Sequence, residues 1–301
     1  MTILIDENTS IIVQGLSGRQ ASRDSDDSIK YGTKIVAGVT PGRGGQEVLG
    51  VPMYNTVQAA MDAHQADASI IYVPLRAVRA AVLEAIDAGV RLIVVTTEGV
   101  ARQDVAYLVA KARQAGVQLI GPNTNGLISP GKSKLGGIGG DRTHLIYAEG
   151  RVGICSRSGG MTGETALALK QGGYGVSTAI AMGGDRITGG TMLDFVKMFE
   201  ADDGTDAVVV YGEPGSSNEA ALAAYLKENG IRKPVVAIVA GQFQENYPTG
   251  VSFGHAAAMI SSEDDSASAK RKMLADAGVL VASTLADIPG LLESCGVKRS
   301  A

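Results

Sequence analysis

Two residues combine a type and a setting that could carry covalent chemistry. His255 lies in Ser252-Phe253-Gly254-His255-Ala256-Ala257-Ala258, where small residues on both sides leave the imidazole open to close approach. A neutral imidazole is a nucleophile, and an unperturbed pKa of about 6.5 leaves it largely neutral near pH 7. Glu213 lies in Tyr211-Gly212-Glu213-Pro214-Gly215-Ser216-Ser217, just past an apolar run. A carboxylate there can accept the imidazole Nδ1–H and orient the ring. Sequence order alone does not make the two meet, and a packed loop histidine is the plain alternative. His64, at a polar helix end, and His144, in a glycine-rich stretch, lack such a setting.

Four further segments suit an anion. Gly15-Leu16-Ser17-Gly18-Arg19-Gln20 follows the first apolar run. A glycine turn there lets backbone N–H groups approach a phosphate, although the third glycine of the dinucleotide fingerprint is missing. Thr40-Pro41-Gly42-Arg43-Gly44-Gly45 follows the second run, and Arg43 can make paired hydrogen bonds to phosphate. Thr96-Thr97-Glu98-Gly99 ends a later run. Ser156-Arg157-Ser158-Gly159-Gly160 precedes a helical pattern, so Ser158, Gly159 and Gly160 would offer the free N–H groups of a helix start. The alternatives are a tight turn, a mobile surface loop and ordinary capping. Gly126 to Ser133 matches the Walker A pattern letter for letter. That motif needs a strand before it and a helix after it, and the glycine-rich continuation Lys134–Gly140 provides no helix, so a phosphate loop is not expected there.

The elements that must position these residues follow from periodicity. Ile11–Gln14, Lys34–Val39, Ser69–Val73, Leu92–Thr96 and Gln118–Ile120 read as strands. Val57–Ala63, Ala77–Ala88 and Asp104–Ala115 read as helices between them. The pattern breaks from Asn123 to Gly150, which reads as a linker or arm. It resumes with strands at Val152–Cys155, Val176–Ala181, Ala207–Tyr211, Val235–Ala240 and Val279–Val281. The matching helices are Met161–Gln171, Thr191–Glu200, Glu219–Asn229, Ser266–Ala277 and Leu285–Leu292. Such alternation means βαβ units and parallel sheets. Two doubly wound α/β domains are expected, over residues 1–130 and 151–301, with residues 131–150 between them. Ligands in such sheets gather beyond the carboxyl ends of the strands, where all the loops above would lie.

Composition narrows the classes. With 301 residues the chain can bury a large core without disulfides. Lys plus Arg is 27 and Asp plus Glu 31, a net −4, which argues against nucleic acid as the main partner. Cys155 and Cys295 are the only cysteines, and no Cys/His spacing reads as a metal site. The start MTILIDENTS lacks the marks of a signal peptide, and no apolar run is long enough to span a membrane. A cytoplasmic setting is the expectation.

Several motifs, in order and at matching spacing, resemble the α subunit of succinyl-CoA synthetase and its relatives among the ADP-forming acid–CoA ligases, over nearly the whole chain. They are the Gly15–Gln20 turn, GVTPGRGG at Gly38–Gly45, YVP at Tyr72–Pro74, TEG at Thr97–Gly99 and GPN at Gly121–Asn123. SRSGG at Ser156–Gly160, GGD at Gly183–Asp185, GE at Gly212–Glu213 and GHA at Gly254–Ala256 complete the series. The resemblance implies a Rossmann-like coenzyme A-binding domain followed by a flavodoxin-like ligase domain. It implies an ATP-grasp β subunit, in an αβ or α2β2 heteromer, that binds ATP and Mg2+. A histidine is phosphorylated, the phosphoryl group passes to a carboxylic acid, and coenzyme A attacks the acyl phosphate. Carried over, His255 is the phosphohistidine, Glu213 its orienting carboxylate, and Ser158–Gly160 the phosphate-binding helix start. Ser17, Gly18, Arg19, Gln20, Arg43, Thr96, Thr97 and Glu98 match coenzyme A positions, with Arg43 standing where lysine is usual.

The departures bear on the acid. Succinate-specific members continue the serine loop as SGTLTYE, and Gly163 stands at the position of that tyrosine. GEIGG becomes Gly212-Glu213-Pro214-Gly215-Ser216, and GHAGA becomes Gly254-His255-Ala256-Ala257-Ala258. SRSGGM, GGDR and a Phe before GHA look more like ATP-citrate lyase and citryl-CoA synthetase. Losing a large side chain and a hydroxyl at Gly163 should reshape the acid pocket, so citrate, malate or a sulfonated acid is expected over succinate. The alternatives are a succinyl-CoA synthetase proper and a coenzyme A-binding regulatory module without catalysis.

Overall fold

The computed structural model describes residues 2–300 apart from Ser252 and residues 254–257. The chain forms two compact units. One comprises Leu4–Asp141 with Ile187–Gly190, and the other Met1–Ile3, Arg142–Arg186 and Thr191–Ala301. The stretch 131–150, read from the sequence as an arm, is therefore divided between the two units near residue 141.

In the first unit the strands are β1 Ser10–Gln14, β2 Lys34–Val39, β3 Glu47–Val48, β4 Val51–Tyr54, β5 Ala68–Ile71, β6 Leu92–Val95 and β7 Gln118–Ile120. Their order across the sheet is β3-β4-β2-β1-β5-β6-β7. The β2-β1-β5-β6-β7 pairs are parallel. β5 and β6 are buried along their whole length, as expected of strands covered on both faces. Helices α1 Arg19–Tyr31, α2 Val57–His64, α3 Val78–Asp87 and α4 Arg102–Gln114 alternate with them. Ile12, Ile71, Ile93, Val82, Leu108 and Leu119 belong to one apolar core.

Helix α1 escaped the sequence reading for a physical reason. Its inward face is Ala21, Asp24, Ser25 and Ser28, small or polar residues at helical spacing that an apolar period does not register. A left-handed Gly32 closes it, its N–H returning to Ile29 and Ser28 carbonyls. The Walker-like segment is a hairpin. Strand β8 Leu127–Ser129 pairs antiparallel with β9 Ser133–Leu135, and Lys132 sits at the turn. A strand, a turn and a second strand supply no helix N-terminus, so no phosphate loop exists there. Lys134 N donates to Thr33 Oγ1 at 3.0 Å and Thr33 Oγ1 donates to Lys134 O at 2.9 Å, which holds the hairpin on the α1–β2 turn.

In the second unit the strands are β10 Glu149–Ser156, β11 Val176–Ala181, β12 Ala207–Gly212, β13 Val235–Val239 and β14 Leu280–Val281. They run parallel in the order β14-β13-β12-β10-β11. The helices are α5 Thr143–Ile146, α6 Gly159–Gln171, α7 Met192–Ala201, α8 Asn218–Asn229, α9 Ala267–Ala275 and α10 Ile288–Ser294. Gly153 in β10 makes room for an aromatic ring, since a Cβ there would stand 2.6 Å from Phe199 Cδ1. Both sheets are thus the doubly wound type the alternation implied. No helix of the described residues is long and apolar enough to cross a membrane.

Candidate functional site

The four anion-binding candidates singled out from the sequence, and the loop of Glu213, lie at the carboxyl edges of the two sheets, and each unit carries its own cluster. In the first sheet the strand order reverses between β1 and β5, the position where open α/β sheets bind ligands. Gly15 ends β1 with φ +83°, and a Cβ would stand 3.2 Å from the Tyr72 carbonyl in the loop after β5. Only glycine combines that backbone with so close an approach. Gly18 N donates to Gly15 O at 2.8 Å and caps α1 without a side chain. The first-turn N–H groups of Arg19 and Gln20 have no helical acceptor, no acidic residue lies in that turn, and both residues are exposed. An open helix start with these properties favours an anion.

The β2 loop works differently from the sequence expectation. Gly42 N and Gly44 N both donate to Asn55 Oδ1 at 2.9 Å, so these glycine amides shape the loop. The positive charge there is the exposed Arg43, whose Nη1 donates to Gln46 Oε1 at 3.1 Å. Ser17 Oγ donates to Thr40 Oγ1 at 3.2 Å, which joins the first two loops. After β6, Thr96 Oγ1 donates to Ile71 O at 2.9 Å and Thr97 Oγ1 to Val73 O at 2.8 Å. Their hydroxyl protons are committed, leaving oxygens that can accept; Glu98 is exposed beside them. These eight residues therefore occupy the loops after β1, β2 and β6, along one edge. A phosphate-bearing ligand fits this edge through the α1 start and the Arg43 side chain.

In the second sheet the order reverses between β10 and β12. After β10, Ser158 caps α6, accepting from Met161 N at 3.5 Å. Thr162 Oγ1 donates to Ser158 O at 2.7 Å and Ser156 Oγ to the same carbonyl at 2.8 Å. Ordinary capping thus holds the helix start, while the exposed Gly160 leaves an amide accessible. Across the crevice, Glu213 directly follows β12 and is buried. Burial, with the Glu213 charge nearby, pushes the Tyr211 hydroxyl up to about 12.

The loop carrying Glu213 is fixed by residues that no local sequence signal marked. Lys270 of α9 and Glu219 of α8 form an ion pair at 2.6 Å, the lysine 1% exposed. Lys270 Nζ also donates to Glu213 O at 2.8 Å and to Gly215 O. Its three ammonium protons therefore meet three acceptors. Glu219 Oε1 in turn accepts from Glu213 N at 3.2 Å. Burial pushes the Lys270 ammonium below its ordinary range, against the attraction of Glu219. In sequence Lys270 is one of three basic residues at 270–272 and looks like a solvated helix face.

Gly163 sits one turn into α6. A Cβ there would lie 3.7 Å from Tyr147 Oη and 3.8 Å from Ile146 Cγ2, so these side chains border the space a residue at 163 would enter. Tyr147 is 4% exposed, and its hydroxyl has no hydrogen-bond partner among the described residues. His255 lies outside the described residues; it belongs to the connection from β13 to α9.

Comparison with known proteins agrees with this division. Residues 6–99 match a CoA-binding domain model and residues 155–280 a CoA-ligase model. The chain is 45% identical over 288 residues to a succinate–CoA ligase (ADP-forming) subunit alpha of Archaeoglobus fulgidus, covering 96% of each chain. It is 42% identical to the malate–CoA ligase subunit alpha of Methylorubrum extorquens, covering 96% of this chain and 98% of that one. Among solved structures, a mutant ATP citrate lyase of Methanosaeta concilii in complex with citryl-CoA superposes with a TM-score of 0.90 at 28% identity. That match covers 99% of this chain but 52% of the lyase, so this chain spans about half the lyase's length. With a CoA-binding domain, a CoA-ligase domain and near full-length relatives of this identity, the chain belongs to the α-subunit family of the ADP-forming CoA ligases, which are acid–thiol ligases.

Proposed function

We propose that this chain is the α subunit of a carboxylic acid–CoA ligase that works through a phosphohistidine and an acyl phosphate on a short anionic acid other than succinate. The observation that carries the ligase reading is the carboxyl edge of the second sheet. There the Ser158-capped start of α6, with its exposed Gly160, and the buried Glu213 flank the crevice where strand order reverses, and the β13–α9 connection contains His255. Neutral His255 would take the phosphoryl group from ATP held by an ATP-grasp β subunit with Mg2+. Glu213 would accept the imidazole N–H and stabilise the positive charge that forms on attack. The α6 amides would meet the phosphoryl oxygens. Transfer to the acid breaks the N–P bond and makes an acyl phosphate. Coenzyme A thiolate then attacks the acyl carbon and releases phosphate. Ser17, Gly18, Arg19, Gln20, Arg43, Thr96, Thr97 and Glu98 would hold coenzyme A on the first unit.

Gly163 and the malate–CoA ligase relative support an acid other than succinate, with malate, citrate and sulfonated acids as the candidates. The succinate ligase of Archaeoglobus fulgidus favours succinate as the second reading. The test is the chain co-expressed with its β subunit, assayed with ATP, Mg2+, coenzyme A and these acids. Thioester and ADP from one acid well above succinate is the expected result. Succinate being fastest refutes the acid assignment and leaves the ligase standing. His255→Asn should abolish turnover and histidine phosphorylation while keeping coenzyme A affinity. No turnover of any acid and no phosphohistidine in the parent would leave a coenzyme A-binding module.

A further inference from the structure

The crevice between β10 and β12 holds a cation that the steps above do not use. Arg157, directly after β10, is 1% exposed. Its N–H donates to Tyr211 O at 3.2 Å across the crevice. Its guanidinium carries five donors, of which Nη1 reaches Ser216 Oγ at 2.7 Å and Nη2 reaches Asp185 O at 3.4 Å. No carboxylate pairs with it among the described residues. A second cation, Lys270, stands near enough for the Arg157 charge to help push its ammonium down. A buried guanidinium without a counter-ion is costly, and the cost is removed when an anion arrives.

Ser216 is the second half of the arrangement. Its φ is +58°, a left-handed backbone that glycine would adopt freely and serine adopts under strain. Its Oγ accepts from Arg157 and, more weakly at 3.4 Å, from Asn218 Nδ2. With both lone pairs engaged, the hydroxyl proton is directed elsewhere and can be donated. Ser216 is only partly buried, so a ligand in the crevice can reach it.

We propose that Arg157 and Ser216 form a donor-only receptor for the second acidic group of the acid substrate, a carboxylate or sulfonate remote from the carboxylate that is activated. The assignment rests on the ligase reading above. It makes Ser216 a residue that selects dianionic acids over monocarboxylic ones.

The test uses the αβ enzyme with Ser216→Gly and Ser216→Ala. The glycine variant relieves the backbone, so it should fold at least as well as the parent; the alanine variant removes the hydroxyl and keeps the strain. The readouts are kcat/KM for malate, succinate, citrate and sulfonated acids, kcat/KM for acetate and propionate, and histidine phosphorylation from ATP, which needs no acid. Both variants should lose about 10- to 100-fold on the preferred dianionic acid, through KM, with the monocarboxylic acids unmoved. Arg157→Lys should lose more on the same acids, because an ammonium lacks the planar fork. A ratio of dianionic to monocarboxylic kcat/KM that stays constant across the variants overturns the assignment alone, provided the parent makes thioester. A parent that uses only monocarboxylic acids also overturns it. A parent that makes neither thioester nor phosphohistidine overturns the ligase reading, and this assignment with it.

Discussion

Replacing Lys270 with methionine tests what holds the loop of Glu213 in place. The ammonium is 1% exposed, paired with Glu219 at 2.6 Å, and donates to the Glu213 and Gly215 carbonyls. Methionine matches the stem in length but removes all three hydrogen bonds. The larger loss is what remains: Glu219, fully buried, is stripped of the Lys270 ammonium that paired with it. Breaking one side of a buried pair costs about 3–5 kcal/mol. The two carbonyls that lose the Lys270 donor add to this, at about 1–3 kcal/mol for each group, though the contributions overlap. A loss of about 4 kcal/mol is therefore expected, read as a lower urea midpoint for the second unit with an unchanged slope. Removing both charges, as Lys270→Met with Glu219→Leu, should recover about 2 kcal/mol of that loss, because the orphaned carboxylate is gone. Turnover should fall in both variants, since the Glu213 carbonyl has lost its tether, while coenzyme A affinity on the other unit stays. A single-variant cost below about 1 kcal/mol, or a double variant that is simply additive, refutes the reasoning.

Three further outcomes are expected. Tyr147→Phe deletes a buried hydroxyl with no partner among the described residues, so stability should hold or rise by about 1 kcal/mol, and a clear drop in thermal midpoint would contradict the orphaned hydroxyl. Arg43→Ala should weaken coenzyme A binding by about tenfold, near 1.4 kcal/mol, with little change in unfolding, because the side chain is exposed; calorimetric titration reads the first and urea the second. Asp24 is pushed above its usual value by burial, against hydrogen bonds from Tyr72 and Gln20. The folded chain therefore holds a proton that the unfolded chain has released between pH 3.8 and the raised value. Stability from Asp24 is full below pH 3.8 and is lost as pH rises through that window, so the parent should lose stability relative to Asp24→Asn there and run parallel to it above. Urea midpoints across pH 3.5–7 check the sign, and parallel curves throughout would contradict it.

Periodicity made the architecture legible wherever burial is apolar. The runs at β5, β6, β11, β12 and β13 are buried along their whole length, so Val and Ile fill them and length separates them from helices. Helix α1 failed this test because Asp24, Ser25 and Ser28 face inward, where Asp24 meets Tyr72 Oη at 3.0 Å and Ser28 Oγ returns to Asp24 O. The β8–β9 hairpin failed it because three-residue strands are too short to show a period. The candidate loops were legible for a simpler reason. Chain order puts each after a strand, and parallel strands place those ends on one edge of each sheet.

The sequence by itself determined two doubly wound units, the edges on which ligands gather, and through its ordered motifs the ligase family. Tertiary structure alone decided how each loop is held and which groups stay available. It spends the Gly42 and Gly44 amides on Asn55, sets Lys270 beneath Glu213 from 57 residues away, and leaves Arg157 buried with no carboxylate partner among the described residues. The alternation of strand and helix and the hydrophobic period are local properties that neighbouring residues encode. Hydrogen-bond partners and desolvation depend on residues distant in the chain, and these come together only when the chain folds.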